Sequence, residues 1–322
     1  MPERIFMELL AARQAQGFHI CVGLDTDMQS PKFPPDFHPD YSPNVRQYLF
    51  NDCIIQATHD LVAGYKPNSA FYESDIRGGF STLYATVDRV KCVNPSIPVI
   101  VDAKRGDIGN TNKGYVRAIF DGIEADATTI PPYLGSEAMQ PFLRRTNNGI
   151  YVLCHTSNKG ADEFQHFSGS MFVSELKQLL GCDTQTAQCL VDELGLTRIS
   201  PHSIFLPLYL YVALRVKTAW NVHGNCGLVV GATAAKEIRL VRQLVGPDMQ
   251  LLIPDVGAQG GNLEASVEAA CLGGSRNFVV NMSRSVIFAS SGPDFAEATR
   301  AEVLRCHEII TNTITKLAVN AG

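Results

Sequence analysis

The sequence predicts a single (β/α)₈ (TIM) barrel. Eight short apolar runs recur along the chain, each followed by a stretch with helical spacing. Strict strand–helix alternation argues for a parallel sheet. Eight such units within 322 residues fit a closed barrel. An open doubly wound sheet is the second reading, since a sequence does not prove closure. Polar residues gather where the runs end, at Asp25, Lys66, Asp102, Lys104, Thr156, Gln259 and Arg284. In a barrel those ends form one mouth, where active sites lie.

Residues 3–15 read as a first helix, with Ile5, Leu9 and Leu10 spaced for one face. Residues 19–25 form strand one and end in an acid. Next is a proline-rich loop over 26–41, and then Ser42-Pro43, a cap with proline at the first helical position. That helix runs to about residue 62. Strand two, 63–68, ends in Lys66 and Asn68. Ile76, Phe80, Leu83, Val87 and Val90 then recur at helical spacing. Strand three spans 97–103, a β-branched run of the kind found in buried parallel strands. Residues 111–123 are helical, 125–130 form strand four, a helix begins at Ser136, and 149–155 form strand five. Strands six, seven and eight are 227–232, 250–254 and 277–281, and an amphipathic helix over 295–317 ends the chain.

One segment breaks this rhythm. About seventy residues separate strands five and six. Within them, 171–180 and 184–194 read as two short helices of a helical insertion at approximately 161–206, and 207–220 as the regular barrel helix. No linker marks a second domain, so 1–322 reads as one barrel.

The net charge of −5 argues against a broad basic surface for nucleic acid or an anionic membrane. No run of about 18 apolar residues suggests a transmembrane helix, and the first residues lack a signal-peptide pattern. The nine cysteines are scattered without a CxxC pair. They read as reduced thiols of a cytoplasmic protein rather than a zinc or disulfide framework. No HxH or HExxH pattern marks a catalytic metal, and no GxSxG elbow marks a serine hydrolase.

The most informative run is the end of strand three. Side chains alternate along a strand, so Asp102 and Lys104 are expected on one side, with Asp107 beyond the turn at Gly106. A salt-bridged loop is the plain alternative. Residues 257–261 (GAQGG) follow strand seven and precede a helix starting near Asn262. Free amides at a helix start suit a phosphate, and Arg284 after strand eight is placed to share it. Lys66 lies between apolar Tyr65 and Pro67, which argues against full exposure. Asp25 reads either as a ligand contact or as a helix cap. His155 has no acidic neighbour in the sequence and reads as structural.

Residues 102–111 (DAKRGDIGNT) match the D-x-K-x-x-D-[IV]-x-x-T signature of orotidine 5′-phosphate decarboxylases. Residues 23–25, 65–68, 155–158, 231–233 and 253–261 resemble that family's other strand-end motifs, and the Gln259 region resembles its longer-chain branch. The resemblance implies a homodimeric barrel that converts orotidine 5′-phosphate to UMP and carbon dioxide without cofactor or metal. It implies that Lys104 protonates C6 of the pyrimidine, with Asp102 beside the scissile carboxylate and Lys66 in the charge network near the ribose. Asp107, with Ile108 and Thr111, would come from the partner subunit. Asp25 would bind ribose hydroxyls, and Thr156 and Ser157 would lie near the base. Gln259 and Arg284 would hold the phosphate, and Asn68, Pro254, Gly260 and Ser283 complete the expected contacts. Two positions depart from the pattern: Asp255 stands where the branch usually has glycine, and His155 where a basic residue is usual. The alternatives are a sugar-phosphate decarboxylase of the same suprafamily, a Schiff-base aldolase and a non-catalytic nucleotide-binding barrel.

Overall fold

The structure, a computed structural model, describes residues 3–254, 256 and 262–320. In chain order its strands are β1 (Ile20–Gly23), β2 (Gly64–Lys66), β3 (Ile100–Val101), β4 (Ala127–Ile130), β5 (Gly149–His155), β6 (Ser168–Phe172), β7 (Arg198–Ser200), β8 (Ser203–Pro207), β9 (Cys226–Val230), β10 (Gln250–Ile253) and β11 (Phe278–Met282). β1–β5 and β9–β11 are the eight runs read from the sequence. They form one parallel sheet in the order β2-β1-β11-β10-β9-β5-β4-β3. The first and last strands pair, with Ile20 opposite Val280. Bridges from Tyr65 to Val99 and from Asn68 to Asp102 join β2 to β3. The sheet therefore closes on itself, and the open-sheet alternative is excluded. Every residue of β1, β2, β4, β9, β10 and β11 is buried. Burial on both faces explains why these strands read as continuous apolar runs and not as alternating ones.

The lower half of the barrel is filled. Cys21, Ala63, Ile100, Ala127, Tyr151, Val229, Leu252 and Val279 form one interior cluster with Phe6 and Leu10. The last two come from the helix Phe6–Ala15, which plugs the bottom of the ring. Phe6 meets Tyr151 edge to face at 5.8 Å. A Cβ on Gly149 would lie 2.2 Å from the Phe6 ring, so the plug requires glycine there. The helix begins at Phe6 and not at residue 3, because Arg4 is drawn aside to the Asp126 carboxylate at 2.7 and 2.8 Å.

The helices between strands lay apolar stripes on the outside of the ring, such as Leu83, Val87 and Val90 of Gly79–Val93. The expected stripe does not extend to Ile76 and Phe80, which are exposed. Residues Ala70–Glu73 form a separate short helix, and Gly79 approaches the Tyr72 carbonyl so closely that the path bends there. The helices after β3 and β8 each end in a π-turn, Arg117–Gly122 and Val216–Trp220.

The insertion is not purely helical. The helices Val173–Leu180 and Thr184–Glu193 are present, but β6, β8 and β7 form an antiparallel three-stranded sheet around them. Met171, Ile204 and Leu206 face inward while Phe172 and Phe205 face out. Met171 and Phe172, read from sequence as the start of a helix, are the end of a strand. No described helix is long and apolar enough to cross a membrane.

Candidate active site

The polar strand ends converge. A cavity of about 650 Å³ at the C-terminal mouth is lined by Asp25, Lys66, Asn68, Asp102, Lys104, Thr156, Ser157, Pro254, Ser283 and Arg284. A larger groove of about 810 Å³ runs along the insertion, with Glu175 its one ionisable carboxylate. Size alone does not mark the site; the convergence of charge does.

At the centre is the Asp102 carboxylate, almost fully buried. One oxygen accepts from Lys66 Nζ at 2.9 Å. The other accepts from Lys104 Nζ at 2.7 Å and from Thr129 Oγ1 at 2.7 Å. Lys66 Nζ also lies 4.0 Å from Asp25 Oδ1, an oxygen that has no hydrogen-bond partner among the described residues. Acid and base thus alternate as Asp25, Lys66, Asp102 and Lys104. Burial pulls the Lys66 pKa down, but Asp102 and Asp25 outweigh it and hold the amine above the ordinary lysine value. Burial likewise pushes Asp102 up, and Lys66, Lys104 and the Thr129 hydroxyl outweigh it, holding the carboxyl well below the usual range. Both groups are charged at neutral pH.

Simple strand alternation does not produce this geometry. β3 ends at Val101. Lys104 has φ +47°, a left-handed conformation uncommon for a side chain with a Cβ. Its amide donates to Thr129 Oγ1 at 3.0 Å, which holds the turn that brings the amine back to Asp102. Such strain costs on the order of 1–3 kcal/mol and persists when neighbours over-determine it.

Asp107, Ile108 and Thr111 do not line this cavity. Ile108 and Thr111 are exposed. Asp107 Oδ1 accepts from the Ile108 amide at 2.6 Å, and its own amide donates to Asn112 Oδ1 at 2.9 Å. Buried Asn112 also donates to the carbonyls of Asp107 and Ala138. The loop is fastened from behind and presents its front outward. Gln259, Gly260 and the departing Asp255 lie outside the described residues. His155 is buried, its Nε2 beside His166 and its ring against Tyr209, while its Nδ1 has no hydrogen-bond partner among the described residues.

Thr129, Gln165 and Asn281 also line the cavity and escaped the sequence reading. Gln165, from the insertion, accepts from the Thr156 amide and donates to Thr156 Oγ1, both at 2.8 Å. Asn281 donates to the Cys21 carbonyl at 3.0 Å. A threonine within a strand is ordinary strand composition and carries no signal by itself; two adjacent hydroxyls at 128–129, late in strand four, were the available hint.

Residues 19–179 match the sequence model described as the orotidine 5′-phosphate decarboxylase / HUMPS family. The chain belongs to this family. The orotidine 5′-phosphate decarboxylase of Roseiflexus castenholzii is 40% identical over 90% of this chain and 91% of its own length. That of Thermomicrobium roseum is 39% identical over 98% of this chain and 99% of its own. Among solved structures, Leishmania donovani OMP decarboxylase superposes with a TM-score of 0.69 at 30% identity, covering 94% of this chain and 99% of that one. The orotidine 5′-phosphate decarboxylase family thus accounts for the barrel.

Two outcomes follow from the Asp102 contacts. Thr129→Val is expected to lower kcat about ten- to a hundredfold, the loss of a hydrogen bond to a charged group worth about 1.5–3 kcal/mol. KM should change little and Thr129→Ser should retain most activity; a kcat equal to wild type in the valine variant would remove Thr129 from the site's support. Because the folded-state Asp102 pKa is depressed, its stabilisation is present above the unfolded carboxylate value and is lost as pH falls below it towards the folded value. Asp102→Asn should therefore unfold at lower denaturant than wild type at pH 7, by about 3–5 kcal/mol for leaving buried Lys66 without its partner. The gap should narrow as pH falls below about 4; a pH-independent gap in urea titrations would contradict the assignment.

Proposed function

We propose that this chain decarboxylates orotidine 5′-phosphate to UMP and carbon dioxide in pyrimidine nucleotide synthesis, with its own residues in the following roles. The observation that carries the reading is the buried chain of alternating charge at Asp25, Lys66, Asp102 and Lys104, set in a cavity at the strand ends. The names of its relatives agree with it.

Breaking the bond between C6 and the carboxylate carbon leaves the electron pair on C6, with no adjacent carbonyl to delocalise it. A fixed ammonium stabilises that charge as it develops and then donates a proton to the same carbon. Lys104 is the candidate: its amine is held at 2.7 Å by Asp102 and is partly open to the cavity. The lysine then regains its proton from water. Asp102 faces the leaving carboxylate. The Lys104 amine is already engaged with the Asp102 carboxylate, which makes it a poor nucleophile and disfavours Schiff-base chemistry.

The remaining contacts divide by ligand part. Asp25, with its unpartnered oxygen, and Asn68 take ribose hydroxyls; Thr156 and Ser157 take the base. Arg284, Ser283, Pro254, Gln259 and Gly260 surround the phosphate, whose binding energy helps align the reacting end. Asp107, Ile108 and Thr111 serve the cavity of a second copy in a homodimer, which is supported by their outward, anchored loop. The reading requires no cofactor, because the ammonium supplies both charge and proton. All nine cysteines are free thiols, which supports a cytoplasmic setting.

The test is UMP formation from orotidine 5′-phosphate in the presence of chelator. Turnover is expected, and Lys104→Ala should lower it by at least about a thousandfold while the fold is kept. Absence of turnover in folded protein, dependence on added metal, or near-normal activity of the alanine variant would each overturn the reading. Mixing inactive Asp107→Ala and Lys104→Ala chains should restore part of the activity, because one kind of mixed site has both residues intact. No recovery after verified subunit exchange would refute the shared site.

A further inference from the structure

Three metal-ligating side chains outside the charge network converge where the insertion leaves the barrel. His155 ends β5 and is 5% exposed. The chain then passes through a 3₁₀ turn, Ala161–Glu163, and returns with His166. His155 Nε2 and His166 Nε2 stand 3.0 Å apart, and His166 Nε2 stands 3.5 Å from Asp162 Oδ1. All three ligand atoms lie within 4.8 Å of one another. Nitrogen and oxygen ligands at about 2.0–2.1 Å from one tetrahedral ion are about 3.3–3.4 Å apart. The two measured separations bracket that value.

The surroundings favour a cation. Asp162 and His166, four residues apart, bring two donors from one turn, and His155 brings the third from a rigid strand end. Tyr209 packs against both imidazoles, with ring centroids at 5.2 and 5.3 Å, and restricts their orientation. A simple hydrogen bond between two neutral imidazoles would use one lone pair; an ion uses both and adds the carboxylate. Two imidazoles and one carboxylate suit zinc or cobalt, whereas magnesium and calcium prefer all-oxygen shells.

We propose that His155, Asp162 and His166 form a binding site for a divalent transition ion of the zinc class, with water as fourth ligand. The site is structural and independent of the decarboxylation chemistry. Its effect is to fasten the first turn of the insertion to β5. Gln165 lies in that turn and holds the amide and hydroxyl of Thr156 on the cavity wall. The bound ion therefore orders one wall of the cavity without entering it. Neither an HxH nor an HExxH pattern announces the site, because its ligands are spaced seven and four residues apart across a loop.

The experiment uses untagged protein, stripped with chelator, desalted and titrated with Co²⁺ while visible absorption is followed. One tetrahedral cobalt per chain is expected, displaced by Zn²⁺ and free of thiolate-to-cobalt bands, which separates the site from the nine cysteines. His166→Gln and Asp162→Ala should each weaken uptake by at least about tenfold, since even an outer-shell partner costs that much in metal affinity. Proteolysis within 158–167 should slow when the ion is bound. No cobalt uptake, uptake unchanged in both variants, or thiolate bands would overturn the proposal. Circular dichroism checks both variants; should His166→Gln not fold, Asp162→Ala decides, since that side chain is 80% exposed.

Discussion

One carboxylate holds the structure and the chemistry together. The side chain of Asp102 accepts from Lys66, Lys104 and Thr129. Its backbone meanwhile bonds Pro67 and Ser69, closing the seam between β2 and β3. The residue that completes the ring is therefore the residue that organises the site. Taking a carboxylate and an ammonium out of water is costly, and the cost is met only when geometry is good and the remaining lone pairs are satisfied. Here both oxygens are occupied. Loss of one partner would expose the desolvation cost of the others.

Lys104 shows how that arrangement prepares for reaction. It is held in a left-handed turn by the Thr129 hydroxyl and drawn back by Asp102. The amine is thus oriented before any ligand arrives. Orientation completed in the folded protein need not be supplied during the reaction, which is the physical content of electrostatic preorganisation. The same logic extends to the loop at Asp107: Asn112 ties its back to the helix Gly135–Leu143, leaving its front free.

All eight barrel strands were legible in the sequence because burial on both faces writes a continuous apolar run, and six of the eight runs end in polar residues. The mouth was legible for the same reason. The sheet of the insertion was not, since β6 consists of serines and a glycine before Met171 and Phe172, which lead directly into a helix. Nor does residue type encode the positive φ of Lys104, which depends on a hydroxyl 25 residues later. Thr129 was hidden as an ordinary strand residue. Asp107, Ile108 and Thr111 share one motif with Asp102 and Lys104, yet contiguity in sequence does not place them in one cavity.

The plug formed by Phe6 and Leu10 has a consequence for traffic. Among the described residues the barrel is closed at its base: Tyr151 and its neighbours fill the lower interior, and the N-terminal helix seals it. Under the proposed reaction, carbon dioxide is formed in a cavity whose mouth the nucleotide occupies. Gas that leaves through the mouth must pass the nucleotide or wait for it to leave. Departure from the mouth, and whatever covers it, then governs how fast the cavity becomes ready for its next substrate.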